Sequence, residues 1–418
     1  MDEKIAVIGA GVIGCAVTYA LAREGRRVVL LDRAEPGSGG ASFGNAGHIA
    51  AELVQPLPSP QLLFGFWREL FAFDGPLDVP LHRLGAFAPW AWRFARAAFR
   101  REANTRHLAP LVQPACKDFE QLLRDIGRTD LLRRNGHAQI WFGKHAQRKL
   151  VAEVQEMQRL GIPTSPLARE PLDAIAAAAH QSVRAGLLFP DSGHVTDPLE
   201  LARALVRAAL EHGAAFQLAS VESLSAQGSS ICVRADSQSH RFAAAVVCAG
   251  PWSAPLLAPF GLRAPLESAY GYHVEMPAHD AHIDAPIVYM DSKVLATPMN
   301  GRLRASSFME FSGLDSQADP RKPAALRRKL KALGYRCDAD GASWRGARPV
   351  LPDYLPGIGR VPGEQSLFYA IGHQHIGLTM TPVTAQLIAD LVAARTPRHD
   401  IAAFDLRRFG VPRGTRQS

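Results

Sequence analysis

Residues 5 to 32 admit few folds. An apolar run, Ile5 to Ile8, leads into Gly9-Ala10-Gly11-Val12-Ile13-Gly14; a helical pattern follows to about Arg23, and a second apolar run, Val28 to Leu31, stops at Asp32. Strand, glycine turn, helix, strand and terminal acid, in that order, make the βαβ unit that holds a dinucleotide. Gly9 permits the tight turn, Gly11 lets the backbone approach a pyrophosphate, and Gly14 lets helix and strand pack closely. The free N–H groups and dipole at the helix start favour the pyrophosphate charge. Asp32 is placed to accept hydrogen bonds from a ribose diol, which argues against a 2′-phosphate, and Arg33 to lie along an adenine.

The 418 residues suffice for two domains and a large core. Five cysteines, scattered and without a CxxC pair, argue against a disulfide framework and for a reducing compartment. No basic segment with a cleavage site opens the chain, so a cytoplasmic protein is expected. Residues 5 to 22 are apolar enough to resemble a membrane span, but their three glycines fit a buried strand and helix. The formal charge of +8 favours an anionic partner: a nucleotide, a carboxylate or a membrane surface. Without a zinc finger, a helix-turn-helix or an aromatic-and-basic strip, nucleic acid is not expected.

Beyond Asp32 the chain does not enter another βα unit. It runs through Gly37-Ser38-Gly39-Gly40-Ala41-Ser42, where small residues let a long cofactor lie against the backbone. This tilts the reading toward FAD and leaves NAD open. Segment 61 to 106 interleaves Trp67, Phe71, Phe73, Trp90, Trp92, Phe94 and Phe99 with arginines. It reads as a lid, a packing element or a patch facing an anionic membrane. Pro76, Pro80 and Pro89 interrupt it, which makes packing the plainer reading. Asp197, with Pro198 and Glu200 after it, predicts the cap of a helix to about Glu211. A strand is expected over 216–224, a hairpin over 230–244 and a buried strand over 245–249. From 266 the pattern is β-rich, with a basic helix over 321–333.

Several blocks together resemble FAD-dependent amine oxidoreductases: Ala41-Ser42-Phe43-Gly44-Asn45-Ala46-Gly47, Tyr270-Gly271-Tyr272-His273, GRLRASSFMEFSG, WRGARPVLPDYLPGIG and GHQHIGLTM. The order of these blocks is similar to bacterial D-amino-acid dehydrogenases, with glycine oxidase more distant. The resemblance implies an α/β Rossmann-like FAD-binding domain and a second, α+β substrate domain with a large mixed or antiparallel sheet. The expected division assigns 1–60, 188–265 and 344–418 to FAD and 61–187 and 266–343 to the substrate. It implies non-covalent FAD, because no cysteine stands near Arg348. It also implies hydride transfer from the α-carbon of a small D-amino or cyclic imino acid to flavin N5. The cis-4-hydroxy-D-proline subgroup is one substrate it suggests. Broad D-amino-acid dehydrogenation and oxygen-using glycine or sarcosine oxidation are alternatives. A nicotinamide dehydrogenase and a non-enzymic dinucleotide-binding protein are readings from other classes. Family dehydrogenases pass electrons to quinone or another respiratory acceptor, which adds a peripheral contact with the inner face of a bacterial inner membrane.

Carried over residue by residue, Arg348 matches the arginine that grips the substrate carboxylate, with pairing to Asp353 as the structural alternative. Tyr272 matches a tyrosine facing the cavity. His373, His375 and Gly377 match the turn beside the flavin's pyrimidine end, at the start of the last long helix. His375 stands where glycine oxidase has an arginine. His48 follows the flavin loop and, with His375, is a candidate to influence the protonation of the amine. Ser42, Asn45, Val221, Ala249 and Gly250 are expected to contact FAD. No metal is expected at His373 and His375, since no third ligand stands nearby.

Overall fold

The computed structural model describes residues 4–278, 284–338 and 341–410. The expected βαβ unit opens it: strand Ile5–Ile8, helix Val12–Arg23 and strand Val28–Asp32. These strands sit inside a six-stranded sheet ordered 215–218, 28–32, 5–8, 244–247, 367–371 and 357–360. The first five run parallel and the last antiparallel. A parallel sheet must be covered on both faces, and it is. Helices Val12–Arg23, Pro198–Glu211 and Thr381–Val392 pack on one side, with Leu21, Leu30, Leu201, Leu205 and Leu387 in a common core. A three-stranded antiparallel sheet, 221–227, 230–235 and 238–242, covers the other side through Leu224, Ile231 and Val233. The predicted cap holds: the Asp197 carboxylate accepts from Leu199 and Glu200 N–H.

A second, nine-stranded mixed sheet is assembled from separated parts of the chain. Its longest strand, Glu267–Pro277, lies next to one edge, paired antiparallel with Arg302–Glu310 on its inner side and with the edge strand Ser343–Val350 on the other. Helix Arg321–Ala332 closes one face through Leu326 and Leu330, against Tyr272, Val274 and Ala305. This is the α/β Rossmann-like layer with a second α+β part that the sequence predicts.

Three expectations need correction. The single strand over 216–224 is two: Ala215–Leu218 joins the parallel sheet, and Val221–Gln227 turns away into the antiparallel one. The boundary at 344 is misplaced, because Ser343–Val350, which carries Arg348, hydrogen-bonds along the large sheet. The aromatic segment divides by face. Trp90 is buried and stacked between Phe87 and Phe94, while Phe64, Trp92 and Phe99 are 85%, 67% and 76% exposed. Packing explains only the first group.

Candidate active site

A continuous cavity of about 600 Å³ runs between the two sheets, a volume typical of cofactor and small-ligand sites. One end is walled by Gly9, Gly11, Asp32, Arg33, Val221, Ala249 and Gly250, and the other by Phe308, Arg348, His373, His375 and Gly377; Ser42, Asn45 and His48 line it between. The sequence-selected residues therefore converge, with two exceptions: Gly14 stands behind the wall, where helix and strand pack, and Tyr272 faces away. Tyr272 is 1% exposed, donates to Glu310 Oε2 at 2.7 Å and accepts from Asp319 N–H at 3.1 Å. Alternation along its strand gives the reason: Tyr270, Tyr272 and Val274 enter the core beneath helix Arg321–Ala332, and Gly271 and His273 take the opposite face. The expected cavity-facing role for Tyr272 is withdrawn.

At the nucleotide end the geometry is that of a backbone cradle. Gly9 has φ +106°, and a Cβ there would meet the Cys248 carbonyl oxygen at 2.5 Å. A Cβ on Gly14 would lie 1.8 Å from the Gly9 carbonyl oxygen. No acidic side chain occupies the first turn of helix Val12–Arg23, so its positive end is uncompensated. Ser42 Oγ accepts from Val12 N–H at 2.9 Å, which brings the small-residue loop to the helix start. Asp32 accepts from the N–H groups of Ala10 and Ala34, one on each carboxylate oxygen, leaving lone pairs for a ribose. The Arg33 guanidinium stacks 4.1 Å over the Trp252 ring, and both line the cavity.

The loop after Ser42 is pinned by a residue the sequence reading missed. Arg304, 3% exposed, donates to the Asn45 carbonyl at 2.6 Å and pairs with Glu275 at 2.6 Å. Asn45 Oδ1 itself accepts from Gly47 N–H. Trp344 stacks on His273 at 5.2 Å and lies so close to Gly44 that a Cβ there would overlap its ring at 2.0 Å. Arginine and tryptophan together hold the loop on the large sheet.

The far end is distinguished by its unmatched polar groups. Arg348 donates to the Phe308 carbonyl at 3.0 Å, and among the described residues no carboxylate pairs with it. Asp353, its sequence-based alternative partner, is taken by Arg408 at 2.6 Å. Burial pulls the Arg348 pKa below the usual arginine range, yet a guanidinium stays charged. An enclosed cation without an anion costs several kcal/mol. Room for it comes from Gly271, where a Cβ would lie 1.9 Å from Arg348 Nη2. Phe308, which supplies the carbonyl, has φ +71°, and Tyr354 nearby has φ +59° with a buried hydroxyl lacking a partner. Strained backbone of this kind gathers at functional sites.

The turn after Ile371 supplies the remaining wall. Gln374, also missed, has φ +49°, and neither polar atom of its buried side chain has a partner. His373 Nε2 lies 3.1 Å from Thr384 Oγ1. His375 opens onto the cavity; enclosure, with the Arg348 charge beside it, lowers its pKa to about 4. The last helix begins at Thr381, directly after GHQHIGLTM, following a lead-in turn in which Thr381 Oγ1 donates to the Gly377 carbonyl. His48 is nearly buried beside Glu52, with Nε2 3.6 Å from Oε1. Cys248, on the cavity wall, keeps its proton because burial pushes the thiol pKa up. Among the described residues, the group of histidine and carboxylate atoms that converges within 4.8 Å is His48, Glu52 and His137, and neither His373 nor His375 belongs to it.

An elongated cavity with a glycine cradle, a ribose-facing carboxylate and an unpartnered amide at Gln374 fits FAD. Known proteins agree. A family model described as FAD dependent oxidoreductase matches residues 4–391. A D-amino-acid oxidase of Bradyrhizobium diazoefficiens is 29% identical, covering 97% of this chain and 99% of the relative. A D-amino acid dehydrogenase of Paramagnetospirillum magneticum is 30% identical with the same coverage, 97% and 99%. Among solved structures, glycine oxidase from Geobacillus kaustophilus superposes with a TM-score of 0.76 at 23% identity, covering 97% of this chain and 99% of that one.

Proposed function

The chain belongs to the family of FAD-dependent oxidoreductases, and from that premise we propose that it oxidises a small D-amino or cyclic imino acid at its α-carbon. Bound FAD supplies a two-electron acceptor for the α-hydrogen as hydride. Gly9, Gly11, Gly14, Asp32, Arg33, Ser42, Asn45, Val221, Ala249, Gly250, His373 and Gly377 are the residues proposed to hold it, without a covalent tether. One observation carries the substrate class: the enclosed Arg348 has no carboxylate partner among the described residues. A planar fork of two donors suits a substrate carboxylate. Fixing that carboxylate sets the α-carbon's position, and such orientation is the enzyme's main contribution when the cofactor does the chemistry. His48 and His375 are both neutral at neutral pH, their pKa values lowered by burial. Neutral imidazoles offer donors and acceptors without competing for the carboxylate, and they suit the ring nitrogen and hydroxyl of a hydroxyproline. Cis-4-hydroxy-D-proline is therefore the substrate we place first. The names of the two relatives favour broad D-amino-acid oxidation as the second reading.

A respiratory quinone is the acceptor we favour, with the enzyme lying on an anionic membrane. The support is the exposed row of Phe64, Trp67, Phe73, Trp92 and Phe99 with Arg96 and Arg100 beside it. No helix among the described residues is long and apolar enough to cross a membrane. The deciding experiment is anaerobic bleaching of the flavin against D- and L-amino acids and all hydroxyproline isomers. Bleaching by D-imino acids ahead of D-alanine is expected. Bleaching by L-isomers alone, or by none, rejects the reading. Repeating active pairs with oxygen or a soluble quinone identifies the acceptor.

A further inference from the structure

Beyond His48, outside the cavity lining, lies a buried group, Glu52, His137 and His194, that the reaction above does not use. Glu52 is 5% exposed, and His137 and His194 are each 1% exposed. Strand His48–Ile49 pairs antiparallel with Gly193–Val195, and His137 begins the neighbouring His137–Trp141 strand. His48 Nε2 is 3.6 Å and His137 Nδ1 3.2 Å from the same oxygen, Glu52 Oε1, and neither contact is aligned as a hydrogen bond. The other oxygen, Oε2, accepts from Ser192 Oγ at 2.5 Å. Both nitrogens of His137 lack a partner. A core built for stability does not leave several imidazole nitrogens unsatisfied around a buried carboxylate.

The surroundings of this group give it a direction. His48 lines the large cavity. Glu52 and Ser192 line a separate cleft of about 380 Å³, whose wall includes Lys117, Arg134 and Asp191. The carboxylate and imidazole are thus the contact between an enclosed cavity and a second opening. Other titratable groups act on the pair electrostatically: Glu153 and Cys116 on the Glu52 side, His194 and His375 on the His48 side.

We infer that His48, Glu52 and the cleft beyond form a proton-exit route from the substrate cavity, with His137 as a second acceptor beside Glu52. The inference rests on the amine-oxidation reading. A substrate amine arrives protonated, and hydride transfer requires it neutral. One N–H bond breaks, its electron pair stays on nitrogen, and the proton is taken up by His48 on its cavity-side nitrogen, Nδ1, while the Nε2 proton passes to Glu52 and from there to water in the cleft. The α-hydrogen leaves with two electrons to FAD, and the substrate becomes a protonated imine. His48, neutral at rest because burial lowers its pKa, is open to receive a proton and too weak a base to keep it. Burial raises Glu52 to about 7, so it exchanges protons near neutral pH.

The test uses FAD-loaded full-length protein. In anaerobic stopped flow, Glu52→Gln should slow flavin reduction tenfold or more at pH 7, remove an ionisation near 7 from the pH–rate profile, and leave the apparent substrate affinity unchanged. Glu52→Asp should restore part of the rate. Ser192→Ala, which keeps the carboxylate but removes its donor, should shift that ionisation upward. A second measurement needs no amine: light-driven reduction of the bound flavin should produce an infrared difference band of a protonated carboxyl that Glu52→Gln abolishes. If no amine bleaches the flavin but the band appears and vanishes in the variant, the amine reading fails and the route stands. If wild type and Glu52→Gln share rate, pH profile and infrared spectrum, the route is wrong. If Glu52→Gln fails to fold, the infrared band in wild type and its shift in Ser192→Ala decide.

Discussion

Arg345 and Arg348 lie three residues apart on one strand, and the difference between them carries the substrate argument. Arg345 has its anion inside the protein: it pairs with Glu310 at 2.9 Å, donates to Ser312 and Ser316, and stacks 3.3 Å over the Tyr270 ring. Arg348 makes one hydrogen bond, to a carbonyl, and opens on the cavity. Replacing Arg345 should therefore cost stability, and replacing Arg348 should cost binding. Two charge-assisted hydrogen bonds to a carboxylate contribute about 3–5 kcal/mol together, so Arg348→Ala should lower kcat/KM on the order of 10²- to 10⁴-fold. FAD content and unfolding temperature should stay near wild type. Arg348→Lys keeps charge but loses the fork and should recover only part of the loss. Steady-state kinetics beside flavin absorbance separates these outcomes, and an Arg348→Ala enzyme with unchanged substrate affinity would remove the carboxylate assignment.

At the level of elements, the Glu267–Pro277 strand explains both a success and a miss. Its alternation sends Tyr272 into the core and leaves Gly271 under the Arg348 guanidinium. A methyl at 271 would sit 1.9 Å from Nη2, so Gly271→Ala should displace the arginine and reproduce most of the Arg348→Ala defect without touching the flavin site. An alanine variant with normal KM would mean that the guanidinium's position is unimportant. The sequence block Tyr270-Gly271-Tyr272-His273 pointed to the right strand, but residue type does not tell which face of a doubly covered strand meets a cavity. The glycine turn was legible because its spacing is a local, steric requirement. So was the Asp197 helix cap, whose partners lie within three residues. Arg304, Trp344, Gln374 and Glu52 were not legible. Each matters through partners brought together by the fold: Arg304 through Asn45, 259 positions away, and Glu52 through Ser192, 140 away. The strand over 216–224 was read as one because its polarity pattern does not mark the two residues at which the chain changes sheets.

Across the whole molecule, buried histidines and an exposed aromatic face make opposite demands. Burial lowers His137 and His373 to about 3 and His194 and His273 to about 4. Each is neutral when folded and takes a proton near 6.5 when unfolded. The unfolded state therefore binds more protons below that value, and stability falls as pH drops from about 6.5 toward the folded pKa values. By pH 5 the loss is about 2 kcal/mol per histidine as an upper bound. Glu52, raised to about 7, runs the other way and offsets about one of them. Denaturant unfolding at pH 7, 6 and 5 should show a steep decline, and a flat midpoint would contradict neutral burial. The aromatic face has no such internal purpose. Helices Pro60–Gly65 and Leu84–Ala98 pack together and present Phe64, Trp92 and nearby Phe99 outward. Insertion of such rings gains about 1.5–3 kcal/mol each when fully buried. A basic residue near an anionic surface adds about 1 kcal/mol. Trp92→Ser with Phe99→Ser should weaken sedimentation with anionic vesicles tenfold or more and leave flavin reduction by soluble substrate unchanged. Binding should also weaken with salt and with zwitterionic lipid, because the arginine contribution is screened or absent there. A double variant that sediments like wild type would leave the exposed rings without a membrane role. A variant that loses flavin reduction as well would instead make the segment part of the active-site cover.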